Sequence, residues 1–448
     1  MSRLPEAVAE TEHHAFSGGT VDLLGAAHAV TGAMTRVELD GQSVLVDCGV
    51  AQGDEARRWR FPDRALDVDA VILTHGHNDH VGSLPVLLDR GFSGPIYGTR
   101  STLDLADLVI RDGLHLQGAS RREQDNFRNR LRELSRPVRY DKETSHARSP
   151  IRFTLHEAGH ILGSSSVDLY NDKNRVIVSG DLGRPDTPIL RDPNRIWRQT
   201  LPVDVAVIES TYGDKDHARG HDDIEKTLER IILTALRDGG HILVPAFAIG
   251  RTQLLIYHLN TLIESRRIPD ITVAIDTPMG IRVTELYNQA RNLYDRDALA
   301  KLEAGDDPLH FENLYAVNKQ AHSVQLRDAV DPMLIIAGAG MCTGGRIVGH
   351  LQELLPRPET CVVFIGYQAA GTPGNLIQRA RKGDTVWLGG EKVRVAAHIE
   401  TISGLSAHAD RNELASWLRA LPETRRIALH HGEPEAQHAF ASWLNAQT

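Results

Sequence analysis

The segment Thr74-His75-Gly76-His77-Asn78-Asp79-His80 follows directly on the apolar run Ala70-Val71-Ile72-Leu73, and no other stretch narrows the possible fold as far. A short continuous apolar run reads as a buried strand. Extended side chains repeat every second residue, so His75 and His77 leave the strand end pointing the same way. Asp79 and His80 then turn off into the next element. Such a cluster suits two adjacent metal ions better than one. In a chain with 22 histidines, one histidine at a strand end is an ordinary core or surface residue. The spaced H-x-H-x-D-H pattern is much rarer by chance. It implies a metal-dependent hydrolase.

At 448 residues the chain is long enough for two or three domains. Hydrophobic content of 41% and charged content of 24% are those of a globular enzyme. No apolar run approaches the ~20 residues of a membrane span. Met1-Ser2-Arg3-Leu4-Pro5-Glu6 lacks the apolar core of a signal peptide, so a cytoplasmic location is expected. Cys48, Cys342 and Cys361 are too few and too scattered for a disulfide framework or a thiolate site. Imidazole and carboxylate are left as metal ligands. The net charge of −9 argues against non-specific coating of nucleic acid. It leaves room for a nucleic-acid enzyme, because a dinuclear centre supplies local positive charge. The arginines between Arg121 and Arg139 read as a solvated helical face in preference to a phosphate-contacting patch.

The first half alternates short apolar runs with polar turns. Strands are expected near residues 21–24, 32–39, 42–47, 151–155, 166–170, 175–179 and 203–208, with Asp40-Gly41 as a hairpin turn. A helix is expected from Leu84 to Asp89, closed by Gly91. From about Tyr212 the pattern changes to helices (222–237, 252–266, 279–293) alternating with buried strands (241–245, 271–275, 332–337, 361–365). That alternation indicates a parallel, doubly wound unit. An apolar run at 393–399, a helix at 413–418 and a strand at 426–429 close the chain. Four further side chains sit just after apolar runs, as the histidines do. They are Asp47, His160, Asp181 and His431. Each alone reads equally as a turn residue or cap.

Together the series Asp47, His75-x-His77-x-Asp79-His80, His160, Asp181 resembles the metallo-β-lactamase fold. The motifs Glu209-Ser210-Thr211-Tyr212-Gly213, Pro245 to Arg251, Gly340 to Arg346, Gly404 to Asp410 and His431-Gly432-Glu433 resemble the β-CASP nucleic-acid-processing branch. The likeness covers essentially the whole chain. It is nearest to bacterial and archaeal ribonucleases similar to the endonuclease subunit of pre-mRNA 3′-end cleavage. The resemblance implies an α/β chain: an αββα sandwich with an inserted parallel-sheet β-CASP domain. Residues 1–212 and 403–448 would form the sandwich, and 213–402 the insert.

The resemblance also implies how the side chains divide. One zinc would take His75, His77 and His160; the other Asp79, His80 and His431; Asp181 would bridge. Asp47 would orient the ligands. Iron or manganese would fit almost as well. A metal-bridging hydroxide would attack the phosphodiester, with Asp79, Glu209 and His408 as the catalytic set and His408, held by Glu209, as general acid. Arg251, Arg346 and Ser406 are the candidates for touching substrate, with a structural ion pair the equal alternative for both arginines. His430 competes with His431 as ligand, and the following Gly-Glu favours His431.

The expected function is hydrolysis of RNA, endonucleolytic in the first instance. The expected partners are RNA and no membrane, with a homodimer left open. Two alternatives remain: a lactam or thioester hydrolase, since fold does not fix function, and a DNA-processing nuclease of the same superfamily. The inserted domain speaks against the first and His431 against the second. A non-catalytic scaffold is disfavoured because every ligand is present, and a diiron centre because it would carry Glu in place of His77. The reading expects no KH-type domain before the first strand and no extra domain after the last helix.

Overall fold

The computed structural model describes residues 4–5, 7–9, 11–53, 55–145, 151–217, 221–366, 368–402 and 404–447. Ser403, where the return segment was expected to begin, lies outside them. The chain forms two compact units. The first comprises residues 1–216 and 408–448, the second 217–407.

The first unit is built on two seven-stranded sheets. One runs in the order His13–Phe16, Gly19–Gly25, Met34–Leu39, Gln42–Val46, Ala70–Ile72, Ile96–Gly98, Ser135–Pro137. It begins antiparallel and becomes parallel where Gln42–Val46 pairs with Ala70–Ile72. The hairpin turn falls on Asp40 and Gly41, at φ +48° and +77°, the left-handed pair that a two-residue turn requires. The other sheet runs Ala7–Val8, Ile427–His430, Val205–Glu209, Arg175–Val178, Ser165–Tyr170, Arg152–Glu157, Thr144–Ser145. The return segment thus places its strand between the first strand of the chain and Val205–Glu209, parallel to both.

Period-two alternation explains why these strands read as unbroken apolar runs. Val176, Val178, Val205, Val207 and Ala428 face the core shared with Val21, Val37, Val44 and Ile72 of the first sheet. Their neighbours Ile177, Ala206, Ile208, Ile427 and Leu429 face Leu414, Trp417, Leu418, Phe440 and Leu444, on the helices Arg411–Ala420 and Pro434–Asn445. A strand covered on both faces has no polar side to show. Helix Arg100–Leu116 packs beside Ile96–Gly98 of the first sheet. The arginine-rich stretch is the helix Arg121–Leu134, started by a Ser120–Glu123 capping box and burying only Phe127 and Leu131. Arg130 pairs with Asp89 and Arg128 with Asp107, as a solvated face does.

The second unit holds a six-stranded, all-parallel sheet in the order Leu314–Ala316, Thr272–Asp276, Met333–Ala337, Ile242–Pro245, Cys361–Phe364, His398–Thr401. The apolar run at 393–399 divides between two structures. Glu391–Arg394 forms a hairpin with Thr385–Leu388, while His398–Thr401 completes the parallel sheet. The stretch expected as one helix over 279–293 is the helix Pro278–Gln289 followed by a short 3-10 turn, Arg291–Leu293. Among the described residues no helix is long and apolar enough to cross a membrane.

Candidate metal centre

Parallel strands present their carboxyl ends on one edge, where ligands of α/β sheets gather. His75 follows Ala70–Ile72, Asp47 follows Gln42–Val46, and Asp181, Glu209 and His431 mark the ends of three neighbouring strands. His160 comes from the loop between Arg152–Glu157 and Ser165–Tyr170, where the Ser164 hydroxyl accepts its backbone N–H at 2.9 Å. All belong to the first unit, as does His408.

The ligand atoms converge in two groups. In the first, His77 Nδ1 lies 3.0 Å from His75 Nε2 and 3.3 Å from His160 Nε2. Asp181 Oδ2 lies 3.5 Å from each of the last two. In the second, His80 Nε2 lies 3.3 Å from His431 Nε2, and Asp79 Oδ2 lies 3.5 Å from the latter. Asp181 Oδ1 faces this group, 3.2 Å from His80 Nε2 and 3.4 Å from His431 Nδ1. It is buried and accepts no hydrogen bond among the described residues. Tetrahedral bonds of about 2.0–2.1 Å to imidazole hold their donors roughly 3.3–3.4 Å apart, so these spacings fit zinc. One carboxylate turned between two donor groups fits a pair of ions.

The supports are equally specific. Asp47 Oδ2 accepts from His80 Nδ1 at 2.7 Å and from the Thr74 hydroxyl at 2.7 Å, and its other oxygen accepts the Thr74 N–H. The same hydroxyl lies 3.1 Å from His75 Nδ1. Both imidazoles are thereby turned so that Nε2 faces the centre. Asp47 and His431 sit at φ +65° and +49°, left-handed positions that cost a non-glycine residue about 1–3 kcal/mol. Gly49 is required by close approach, since a Cβ there would run into the Asp79 carbonyl.

Burial and charge set the protonation states of this cluster. Burial pushes the His75 and His77 imidazoles down, His77 to about 4. Burial also opposes charge on His80, yet Asp181 and Asp47 hold that imidazole well above its ordinary value. Asp181 stays well below the usual carboxylate range despite burial, because His431, His80 and His75 surround it. Asp79 is likewise held down, against burial, by the hydrogen bond from His431 and the charge of His80. His430 points away. Its Nε2 bonds the Gly25 carbonyl at 2.7 Å, and burial takes its pKa to about 3.

Outside the two groups, His408 Nδ1 lies 3.2 and 3.1 Å from the two Glu209 oxygens and 3.9 Å from Asp181 Oδ2. Glu209 is buried and also accepts the Leu182 N–H at 2.7 Å. The Tyr212 ring stands 6.0 Å from the His408 ring. Thr74, Ser164, Thr211 (3.2 Å from His431 Nδ1) and Tyr212 were not singled out as functional from sequence. Thr74, Thr211 and Tyr212 lie inside motifs already quoted and Ser164 lies shortly after His160, and that was their only signal.

The substrate-contacting candidates lie in the second unit. Arg346 makes the ion pair that the sequence left as the equal alternative to a substrate contact. One terminal nitrogen bonds Asp276 at 2.5 Å and the Val317 carbonyl at 2.6 Å, and the other bonds the Asn318 carbonyl. Arg251 opens the helix Arg251–Glu264, and Ser406 is half-buried next to the boundary.

Residues 30–246 match the metallo-beta-lactamase superfamily, 252–377 the Beta-Casp domain, and 392–448 a Zn-dependent metallo-hydrolase RNA specificity domain. The chain is 35% identical over 424 residues to ribonuclease TTHA0252 of Thermus thermophilus, covering 94% of each. It is 32% identical to the transcription termination factor FttA of Methanothermobacter thermautotrophicus, over 87% of this chain and 63% of that one. The crystal structure of a protein of unknown function from Enterococcus faecalis V583 shares the fold, with a TM-score of 0.55 and 13% identity over 94% of this chain and 95% of that one.

Proposed function

The chain belongs to the β-Casp metal-dependent ribonucleases of the metallo-β-lactamase superfamily, and we propose that it cuts RNA endonucleolytically with two zinc ions and His408 as general acid. The observation that carries this reading is the convergence of two donor groups on the two oxygens of Asp181, with the His408–Glu209 pair alongside. His75, His77 and His160 would hold one ion, Asp79, His80 and His431 the other.

Zinc, when bound, supplies the Lewis acidity that makes water a nucleophile near neutral pH. The chain's own residues do the rest. Asp79 and Asp181 bring only two negative charges to a centre for two divalent ions, which leaves it positive toward a phosphodiester. Asp47 and Thr74 keep the Nε2 lone pairs of His80 and His75 turned inward. Glu209 takes the Nδ1–H of His408, so that Nε2 is the nitrogen able to pass a proton to the leaving oxygen. All the proposed ligands come from one chain, so the centre does not require a homodimer. A cytoplasmic setting belongs to the same proposal, because RNA is the substrate.

Metal analysis combined with digestion of 5′-labelled and 3′-labelled RNA, with matched DNA beside it, tests the reading. Two zinc ions per chain and RNA-only fragments of intermediate length are expected. Release of mononucleotides alone would replace the endonuclease with an exonuclease. Equal cutting of DNA would remove the RNA preference.

A further inference from the structure

The first unit carries a groove of about 730 Å³ that the chemistry above leaves unused. Its base is apolar: Leu23 and Ala27 are buried there. Its edge carries exposed Arg58 and half-buried Trp59. One wall is tied to the metal centre through the backbone. The Ala26 carbonyl accepts the His431 N–H at 2.9 Å, and the Gly25 carbonyl accepts from His430 Nε2 at 2.7 Å. The Ala27 carbonyl accepts from Gln437 Nε2 at 2.7 Å. The strand end that supplies His431 is therefore also the support of this wall.

We propose that the groove is a subsite for a nucleotide of the RNA strand beside the scissile phosphate, its base against Trp59 and the apolar base of the groove and its phosphate on Arg58. The proposal rests on the ribonuclease reading. The groove is an open depression whose volume of about 730 Å³ leaves room for a nucleotide. The Trp59 indole is braced edge-on by Phe61, ring centroids 6.2 Å apart, and so offers a fixed face. The Arg58 guanidinium makes no ion pair or hydrogen bond among the described residues, which leaves its donors for an anion. A ring face beside a cation is how single strands are held, because every base has a π-face and every nucleotide a phosphate. The groove also has two carboxylates. Glu55 takes the Thr31 hydroxyl at 3.1 Å, and Glu12 lies 3.7 Å from His28. These repel a phosphate and accept from the amino groups of a base edge. They therefore orient the nucleotide with its base inward and its phosphate toward Arg58.

Trp59→Ala, Trp59→Phe and Arg58→Ala, made in the full chain and checked for metal content and melting temperature, test this. Kinetics are measured on an RNA oligomer and on bis(p-nitrophenyl) phosphate, a diester too small to fill the groove. Trp59→Ala is expected to raise KM for RNA by about 5- to 100-fold, the usual worth of one base stack. Trp59→Phe is expected to recover most of it. Arg58→Ala is expected to flatten the dependence of log affinity on log salt by about 0.7, one phosphate contact on a single strand. An unchanged KM for RNA, or equal losses on RNA and the small diester, overturns the subsite. A wild-type protein that cleaves the diester and leaves RNA intact overturns the ribonuclease reading itself, and the subsite with it.

Discussion

Asp181 and Asp276 are both buried aspartates at the ends of parallel strands, each faced by histidine, and they have opposite surroundings. Asp276, in the second unit, is closed. Its Oδ1 accepts from Arg346 at 2.5 Å, and its Oδ2 from Ser323 at 2.5 Å and His350 at 2.6 Å. Although burial pushes its carboxyl up, the bonds from His350, Ser323 and Arg346 hold it below the usual value. Asp181 is open. The four nearest imidazole nitrogens, on His75, His80, His160 and His431, stand 3.2–3.5 Å away, and its Oδ1 accepts no hydrogen bond among the described residues. The gap distinguishes a fold-locking network from a set of donors that could share a cation. Groups that satisfy one another approach to hydrogen-bond length, whereas groups built to share a cation stand apart by the span of two coordinate bonds.

The comparison can be broken most severely at its open member. Asp181→Ala should lower bound metal below one ion per chain and abolish RNA cleavage. Two ions retained with cleavage intact would erase the distinction. Next, His408→Ala should keep both ions and cut hydrolysis by roughly 10²–10⁴-fold, the size of a general-acid contribution. Unchanged turnover would remove His408 from the chemistry. At the closed member, Asp276→Ala should leave metal stoichiometry alone and destabilise the fold by roughly 3 kcal/mol, because Arg346 loses its buried partner. Denaturant unfolding checks this, and lost metal with unchanged stability would invert the assignment.

The smallest effect concerns Glu157, on the strand before His160. Burial raises its carboxyl to about 8, against the backbone N–H of Gly159, which its Oε1 accepts at 3.1 Å. The folded value lies above the unfolded one, so its contribution is fully present below about pH 4.5 and fades as pH rises through about 8. Glu157→Gln should flatten that part of the stability profile. A parallel profile in the variant would show that the carboxyl titrates alike in the folded and unfolded chain.

Much of the site was legible because metal ligation leaves a local mark. His75, His77, Asp79 and His80 lie at one strand end, and the residues after the other apolar runs, Asp47, Asp181, Glu209 and His431, fall on the same edge. The central strands, such as Arg175–Val178, Val205–Glu209 and Met333–Ala337, were legible for the related reason that burial on both faces leaves a mostly apolar run, whereas short strands such as Ile96–Gly98 and Ser135–Pro137 left no such mark. Arg346 was not legible. A guanidinium after glycines serves a phosphate or a carboxylate equally well, and only the tertiary structure puts the Asp276 carboxylate beside it. The run at 393–399 failed likewise, because an apolar string does not say where one strand leaves a hairpin and another enters a sheet.

By itself the sequence determined the donor types, their placement after strands and the switch from alternating to parallel architecture, since these follow from side-chain chemistry and local periodicity. Only the tertiary structure decided that residues as far apart as His80 and His431 meet at 3.3 Å, that His430 turns away, and that Asp181 faces both groups while Asp276 is sealed. Those outcomes depend on strand order and on which face each residue takes. Contacts between distant segments set both.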